Sequence, residues 1–258
     1  MDQIPLEMID QIVGNWQRTL TPFLALNSSR NGEILSFGTG FILHHRENTF
    51  LVTALHVLED VSKYKEVFIV VGAKVISLEK LLFSYDTAND VAVALINDLL
   101  LSNDITRAKG IKLDEYDQEK KSTKYFLLMG FPSSKNKFHF RKGSRDCKVL
   151  SITAKSPIKV SELETIIQDS IFFEFDPKAQ INSSNRVIGT SPDLWGMSGG
   201  PVLELFMQPI GCSHVQISPK LVGVLSEWKV SKKAIVAASI DALESLLDEA
   251  VELVNSLL

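Results

Sequence analysis

The chain has 258 residues, of which 45% are hydrophobic and 22% charged, and its formal net charge is -4. That is the size and balance of one two-lobed globular unit or two small ones. The acidic balance offers no basic stripe and excludes a dedicated nucleic-acid binder.

The first residues, Met1-Asp2-Gln3-Ile4-Pro5-Leu6-Glu7, hold no positive n-region and no long apolar run, so no secretory signal is expected. Leu6, Ile9, Ile12, Val13, Trp16 and Leu20 recur at helical spacing, and Pro22 should end that helix. From Phe23 onward the texture changes to short apolar runs broken by turn signals. Strands are expected at 23–26, 37–44, 49–53, 67–71, 75–78 and 91–96. A charged connection covers 98–123. Strands resume at 125–129, 149–152, 171–175, 201–205 and 221–226, the pattern of a sandwich or barrel. The basic run at 135–148 reads as a solvated loop or hairpin. From Ile240 the apolar positions Leu243, Leu246, Leu247, Ala250, Val251, Val254 and Leu257 line one helical face. No uncharged apolar run reaches the roughly 18 residues of a membrane span. Cys147 and Cys212 fit reduced thiols in a cytoplasm, and neither has the neighbours of a metal site, so no cofactor is expected.

Three segments carry chemistry: Thr53-Ala54-Leu55-His56, Asn89-Asp90-Val91-Ala92-Val93 and Gly196-Met197-Ser198-Gly199-Gly200-Pro201. A serine hydroxyl is a weak nucleophile at neutral pH. It needs a base within hydrogen-bond reach, and the base needs an acid to fix its tautomer. His56, Asp90 and Ser198 offer one residue for each role. Asp90 is preferred to Asp86 and Asp98 because it directly precedes an apolar strand; Asp86 suits an Asx turn. His44, His45, His139 and His214 have no partner pattern and read as structural or surface residues. The elbow pattern of α/β-hydrolases also fits Ser198, but Gly199-Gly200-Pro201 breaks the helix that fold requires, and His214 follows too closely.

With these segments the chain resembles the trypsin-like, chymotrypsin-fold serine proteases. The order His, Asp, Ser is theirs. So is the glycine-pair strand Phe37-Gly38-Thr39-Gly40 before the histidine segment. The resemblance implies an all-β-dominated fold of two six-stranded antiparallel barrels. A helical segment would precede them and a C-terminal helix would follow. Within one protease domain, 1–258, lobe 1 would cover about 23–110, lobe 2 about 120–238, and the closing helix 240–258. It implies an oxyanion hole from the backbone N–H groups of Gly196 and Ser198. Ser226 would lie beneath Asp90, and Glu227 and Trp228 would line the entrance of the specificity pocket. The base of that pocket would fall near Pro192 and Asp193. Asp193 either attracts a basic P1 side chain or caps a turn. Ile12-Val13-Gly14-Asn15 looks like the new N-terminus of an activated trypsin. Met197, however, stands where the pairing aspartate would be, so no zymogen cleavage is expected, and no PDZ domain is expected after the protease domain.

The expected function is a serine endopeptidase acting on peptide or protein substrates in a cytoplasm. Its activity would be gated by an unformed oxyanion hole at Gly196-Met197 or by a partner protein or signal acting on the terminal helices, in a role like that of bacterial stress or antiviral effectors. The alternative is a non-catalytic binding module on the same fold.

Overall fold

The computed structural model describes residues 6–27, 33–72, 74–102, 109–113, 121–139, 147–155, 157–158, 165, 167–178, 180–181, 187–189, 191–210 and 214–256. Helix α1 (Leu6–Trp16) leads through a 3-10 turn, Gln17–Thr19, into β1 (Leu20–Asn27). The first lobe continues with β2 (Glu33–His45), β3 (Asn48–Ala54), α2 (Leu55–Val61), β4 (Val67–Val71), β5 (Lys74–Ser77), β6 (Ser84–Asp86), β7 (Val91–Leu95), α3 (Asn97–Ser102) and β8 (Ile111–Lys112). There follow β9 (Lys121–Gly130), β10 (Lys137–His139), β11 (Leu150–Lys155), β12 (Ser170–Glu174), β13 (Gln180–Ile181) and β14 (Val187–Gly189). The chain closes with β15 (Pro201–Ile210), β16 (His214–Lys229), β17 (Ala234–Ser239) and α4 (Leu243–Asn255).

The strands form two main sheets. One runs β5-β4-β1-β2-β3-β7-β6, with β8 and β10 added against β2; the other runs β11-β9-β15-β16-β17-β12. The all-β, chymotrypsin-like expectation holds, with differences in detail. The first sheet has nine strands rather than six. Among the described residues no ladder joins β5 to β6 or β11 to β12, so neither sheet closes into a full barrel. At the open side of the second sheet the Ile158 N–H donates to the Phe172 carbonyl (2.9 Å).

Period-two alternation, broken at the β2 bulge around Phe37 and at the end of β3, sorts the side chains into three cores. In β2, Phe41 and Leu43 enter a layer shared by the lobes, while Phe37 and Ile42 fill the first lobe. In β3, Phe50 and Val52 face the shared layer, and Leu51 and Ala54 face the lobe interior. The second lobe repeats the rule. Leu127 and Met129 of β9 and Val236 and Ala238 of β17 join the shared layer. Phe126, Leu128, Ile235 and Ala237 fill the second interior.

The terminal helices cap the shared layer. Ile12 of α1 and Leu243, Leu246, Leu247 and Ala250 of α4 are buried in it. Each fully buried leucine is worth about 1.5–3 kcal/mol of transfer energy, so α4 is integral to the fold. Helix α1 is shorter than its apolar spacing suggests. Pro22 sits inside β1, opposite Thr39, rather than after the helix. Pairing of β1 with β4 runs only from Phe23 to Ala25, so Pro22 lies beyond that ladder. Beside it, the Thr21 hydroxyl donates to the Val70 carbonyl (2.6 Å) and continues the contact with β4 through a side chain.

Candidate active site

His56 lies in the first turn of α2, where β3 ends. Its ring Nδ1 is 2.8 Å from Asp90 Oδ2, and its backbone N–H donates to Asp90 Oδ1 at 2.9 Å. The carboxylate is buried, with a side chain 10% exposed, whereas the imidazole is 38% exposed. The Leu55 N–H donates to the Asp90 carbonyl at 3.1 Å, so Asp90 holds the turn that carries His56. Asp90 has φ of 53°, a left-handed conformation that aspartate tolerates better than most residues. Asp86 caps the preceding turn by accepting from the Ala88 and Asn89 N–H groups (2.8 and 3.2 Å). Asn89 ties that turn to the second lobe, its Oδ1 accepting from the Asp169 N–H at 3.0 Å.

Burial by itself disfavours the charged imidazole. The hydrogen bond and negative charge of Asp90, reinforced by Asp60 and Glu227, outweigh it, and the His56 pKa is raised above the ordinary histidine value.

The serine segment is held by backbone anchors. The Trp195 carbonyl accepts from the Ser133 N–H (2.7 Å), and the Met197 carbonyl accepts from the Gly200 N–H (3.0 Å). In a planar trans peptide the N–H lies opposite the C=O. The N–H groups of Gly196 and Ser198 are therefore turned away from those anchors. Neither donates to the chain among the described residues. Gly196 (φ 94°) and Gly199 (φ 85°) supply the left-handed bends. A Cβ on Gly199 would lie 2.0 Å from the Thr39 carbonyl oxygen.

Thr39 fastens this segment to the first lobe. Its N–H donates to the Ser198 carbonyl (2.8 Å), and its hydroxyl donates to the Gly196 carbonyl (2.7 Å) while accepting from the Phe131 N–H (2.9 Å). The sequence marks Thr39 only as the residue between two glycines, and its role depends on a register no motif encodes.

The Ser198 hydroxyl donates to the Ser226 backbone carbonyl at 2.8 Å, and the Ser226 hydroxyl donates to Asp90 Oδ2. Among the described residues no hydrogen bond joins Ser198 to His56. Ser226 is the extra residue of a β-bulge, where Leu225 opposes Ala237 and Glu227 opposes Val236. Bulges of this kind re-aim a side chain, and here the bulged residue reaches the acid.

A narrow cavity of ≈ 20 Å³ opens beside Ser198 and Ser226, walled by Leu128, Leu194, Met197, Leu225, Glu227, Trp228 and Ile235. Glu227 is ion-paired with Lys229. The expected pocket base does not coincide with this cavity. Asp193 is exposed and its carboxylate accepts from the Trp195 N–H at 3.0 Å, the turn-capping alternative. Leu128 and Ile235 were not distinguishable in sequence from other core positions. Ile12 and Val13 lie within α1, and Met197 is buried in the second-lobe core.

The fold and this site define a chymotrypsin-like peptidase. The family model for the trypsin-like peptidase domain matches residues 38–211. The chain belongs to the trypsin-like peptidase family and is a serine protease. Among curated proteins no sequence match is found. Among solved structures it is similar to the inactive form of Rv3671c from M. tuberculosis H37Rv, in a serine-to-alanine mutant. Identity is 15% over 98% of this chain and 96% of that one, with a TM-score of 0.53. It is also similar to the HtrA-type protease AlgW in its structure with a decapeptide, at 12% identity and a TM-score of 0.52. That match covers 94% of this chain and 66% of AlgW. These likenesses concern the fold. No described helix is long and apolar enough to cross a membrane.

Proposed function

We propose that the chain is a serine endopeptidase acting on protein substrates through His56, Asp90 and Ser198. The observation that carries the reading is the continuous array His56–Asp90–Ser226–Ser198 beside the backbone N–H groups of Gly196 and Ser198, which donate to no described residue. In this reaction His56 takes the proton from Ser198 as its Oγ attacks the peptide carbonyl. The Gly196 and Ser198 N–H groups hold the oxyanion. His56 then protonates the leaving amine as the C–N bond breaks, and water hydrolyses the acyl-enzyme. Asp90 stabilises the imidazolium throughout, in keeping with the raised His56 pKa.

The position of the Ser198 hydroxyl on the Ser226 carbonyl supports a gated enzyme. By resemblance, β16 receives the substrate backbone at this point. Substrate arrival and release of the hydroxyl to His56 then become one event, which a regulatory partner would control. The further assignment, a cytoplasmic effector of bacterial stress or antiviral defence, rests on resemblance to stand-alone proteases. The same hydroxyl position is the one observation that favours the alternative, a binding module that keeps an unused triad. The test is digestion of a denatured proteome by wild type and Ser198→Ala, with new N-termini read by mass spectrometry. New termini that vanish in the variant support the endopeptidase; identical profiles support the binding module.

A further inference from the structure

We propose that Trp228 restricts this enzyme to small P1 residues, alanine foremost, with glycine and serine next. The proposal rests on the endopeptidase reading of Ser198. The cavity that meets Ser198 measures ≈ 20 Å³, room for about one water-sized group. The enclosed part of the cavity is about the size of a methyl group, so a phenyl ring or a lysine chain would have to displace its walls or lie in its open mouth.

The cavity is small because the second-lobe core fills it from behind. Leu128, Leu194, Met197, Leu225 and Ile235 belong to that core, and Trp228 packs against it. The indole lies edge-to-face with Phe175 at a centroid separation of 6.1 Å, and its nitrogen is buried. Trp228 also stands opposite Ile235 in the ladder of β16 and β17. A ring packed edge-to-face on Phe175 and against the rest of that core is held in place. A larger P1 side chain would have to displace it.

Charge points the same way. Glu227 is the acidic residue on the cavity wall, and Lys229 already pairs with it. Asp193 lies outside the cavity and spends its carboxylate on a backbone N–H. A basic P1 side chain would find neither volume nor an unspent counter-charge there.

The experiment compares peptidyl diphenyl phosphonates that differ only at P1 (Ala, Phe or Lys), with Ser198 adducts timed by mass spectrometry on the full chain. One methylene of misfit in a packed pocket is worth roughly 10–200-fold. The alanine probe should therefore label wild type at least about tenfold faster than either other probe. Trp228→Ala should raise the phenylalanine rate at least about tenfold. Ile235→Ala opens the same cavity from the facing strand, should the first variant fail to fold. Equal or faster labelling of wild type by the phenylalanine or lysine probe overturns the proposal. A fluorophosphonate with no P1 group runs alongside. If it labels Ser198, the endopeptidase reading stands and the P1 result alone decides. If neither it nor any of the phosphonates labels Ser198, the endopeptidase reading fails and the specificity assignment falls with it.

Discussion

The hydroxyl of Ser198 donates to the backbone carbonyl of Ser226 at 2.8 Å, and the hydroxyl of the same Ser226 donates to Asp90. One bulged residue thus holds the nucleophile through its backbone and the acid through its side chain. In the proposed mechanism, a substrate N–H that takes the Ser226 carbonyl frees Ser198 for His56. N-methylation of the P1 amide in a short peptide substrate should therefore lower kcat/KM by roughly 10–100-fold, the loss of one hydrogen bond with its carbonyl partner left unpaired. Steady-state kinetics on matched peptides checks it. An N-methylated peptide cleaved as fast as its parent would separate substrate binding from release of Ser198.

Asp90 is the acid best tested by amidation. Asparagine tolerates the left-handed backbone that Asp90 adopts, so Asp90→Asn should fold. It should lose activity on the order of 10⁴-fold, because the amide no longer fixes the tautomer of His56. Circular dichroism and peptide hydrolysis read the two effects separately.

His56 gives the pH dependence its sign. In the proposed mechanism catalysis needs the neutral imidazole, and the folded pKa is raised. Activity should therefore rise through a pH above the ordinary histidine value. Glu227→Gln removes one of the negative charges that raise it and should move that limb to lower pH. The protonated His56–Asp90 pair contributes stability fully below the unfolded histidine pKa, and loses it as pH rises through the folded value. Peptide hydrolysis rates between pH 5 and 9 check the limb.

Much of the candidate site was legible because His56, Asp90 and Ser198 sit in short local motifs. Asp90 could be preferred to Asp86 from its place before a strand, and the structure gives Asp86 the Asx turn. What escaped depends on register between distant strands. Thr39 and Phe131 meet only through the lobe interface. Leu128 and Ile235 read as ordinary alternating core positions until the second sheet brings them to the walls of one cavity. Pro22 misled because a proline that breaks a helix is equally at home at the end of a ladder.

Thr39 and Gly199 separate the effects of locking and of space. Thr39→Val removes the hydroxyl that holds the Gly196 carbonyl and should lower kcat by tenfold or more with little change in KM. Gly199→Ala forces a Cβ onto the Thr39 carbonyl at a positive φ. It should destabilise by about 2–4 kcal/mol, or roughly 5–15 °C in Tm. Kinetics and thermal unfolding distinguish the two.

Helix α4 offers a contrast between surface charge and burial. Arg46 and Asp248 form an ion pair at 2.7 Å, but both side chains are more than half exposed. Asp248→Ala should change stability by less than about 1 kcal/mol. Leu247→Ala, in the shared core, should cost about 2–5 kcal/mol. Urea unfolding of both variants gives the comparison.

The most direct measurement is the rate at which a fluorophosphonate labels Ser198 in wild type, His56→Ala and Asp90→Asn, with the adduct located by mass spectrometry. The account predicts a single adduct on Ser198 in wild type that is lost or slowed at least about a hundredfold in both variants. Equal labelling of all three proteins, or an adduct on another residue, would contradict it.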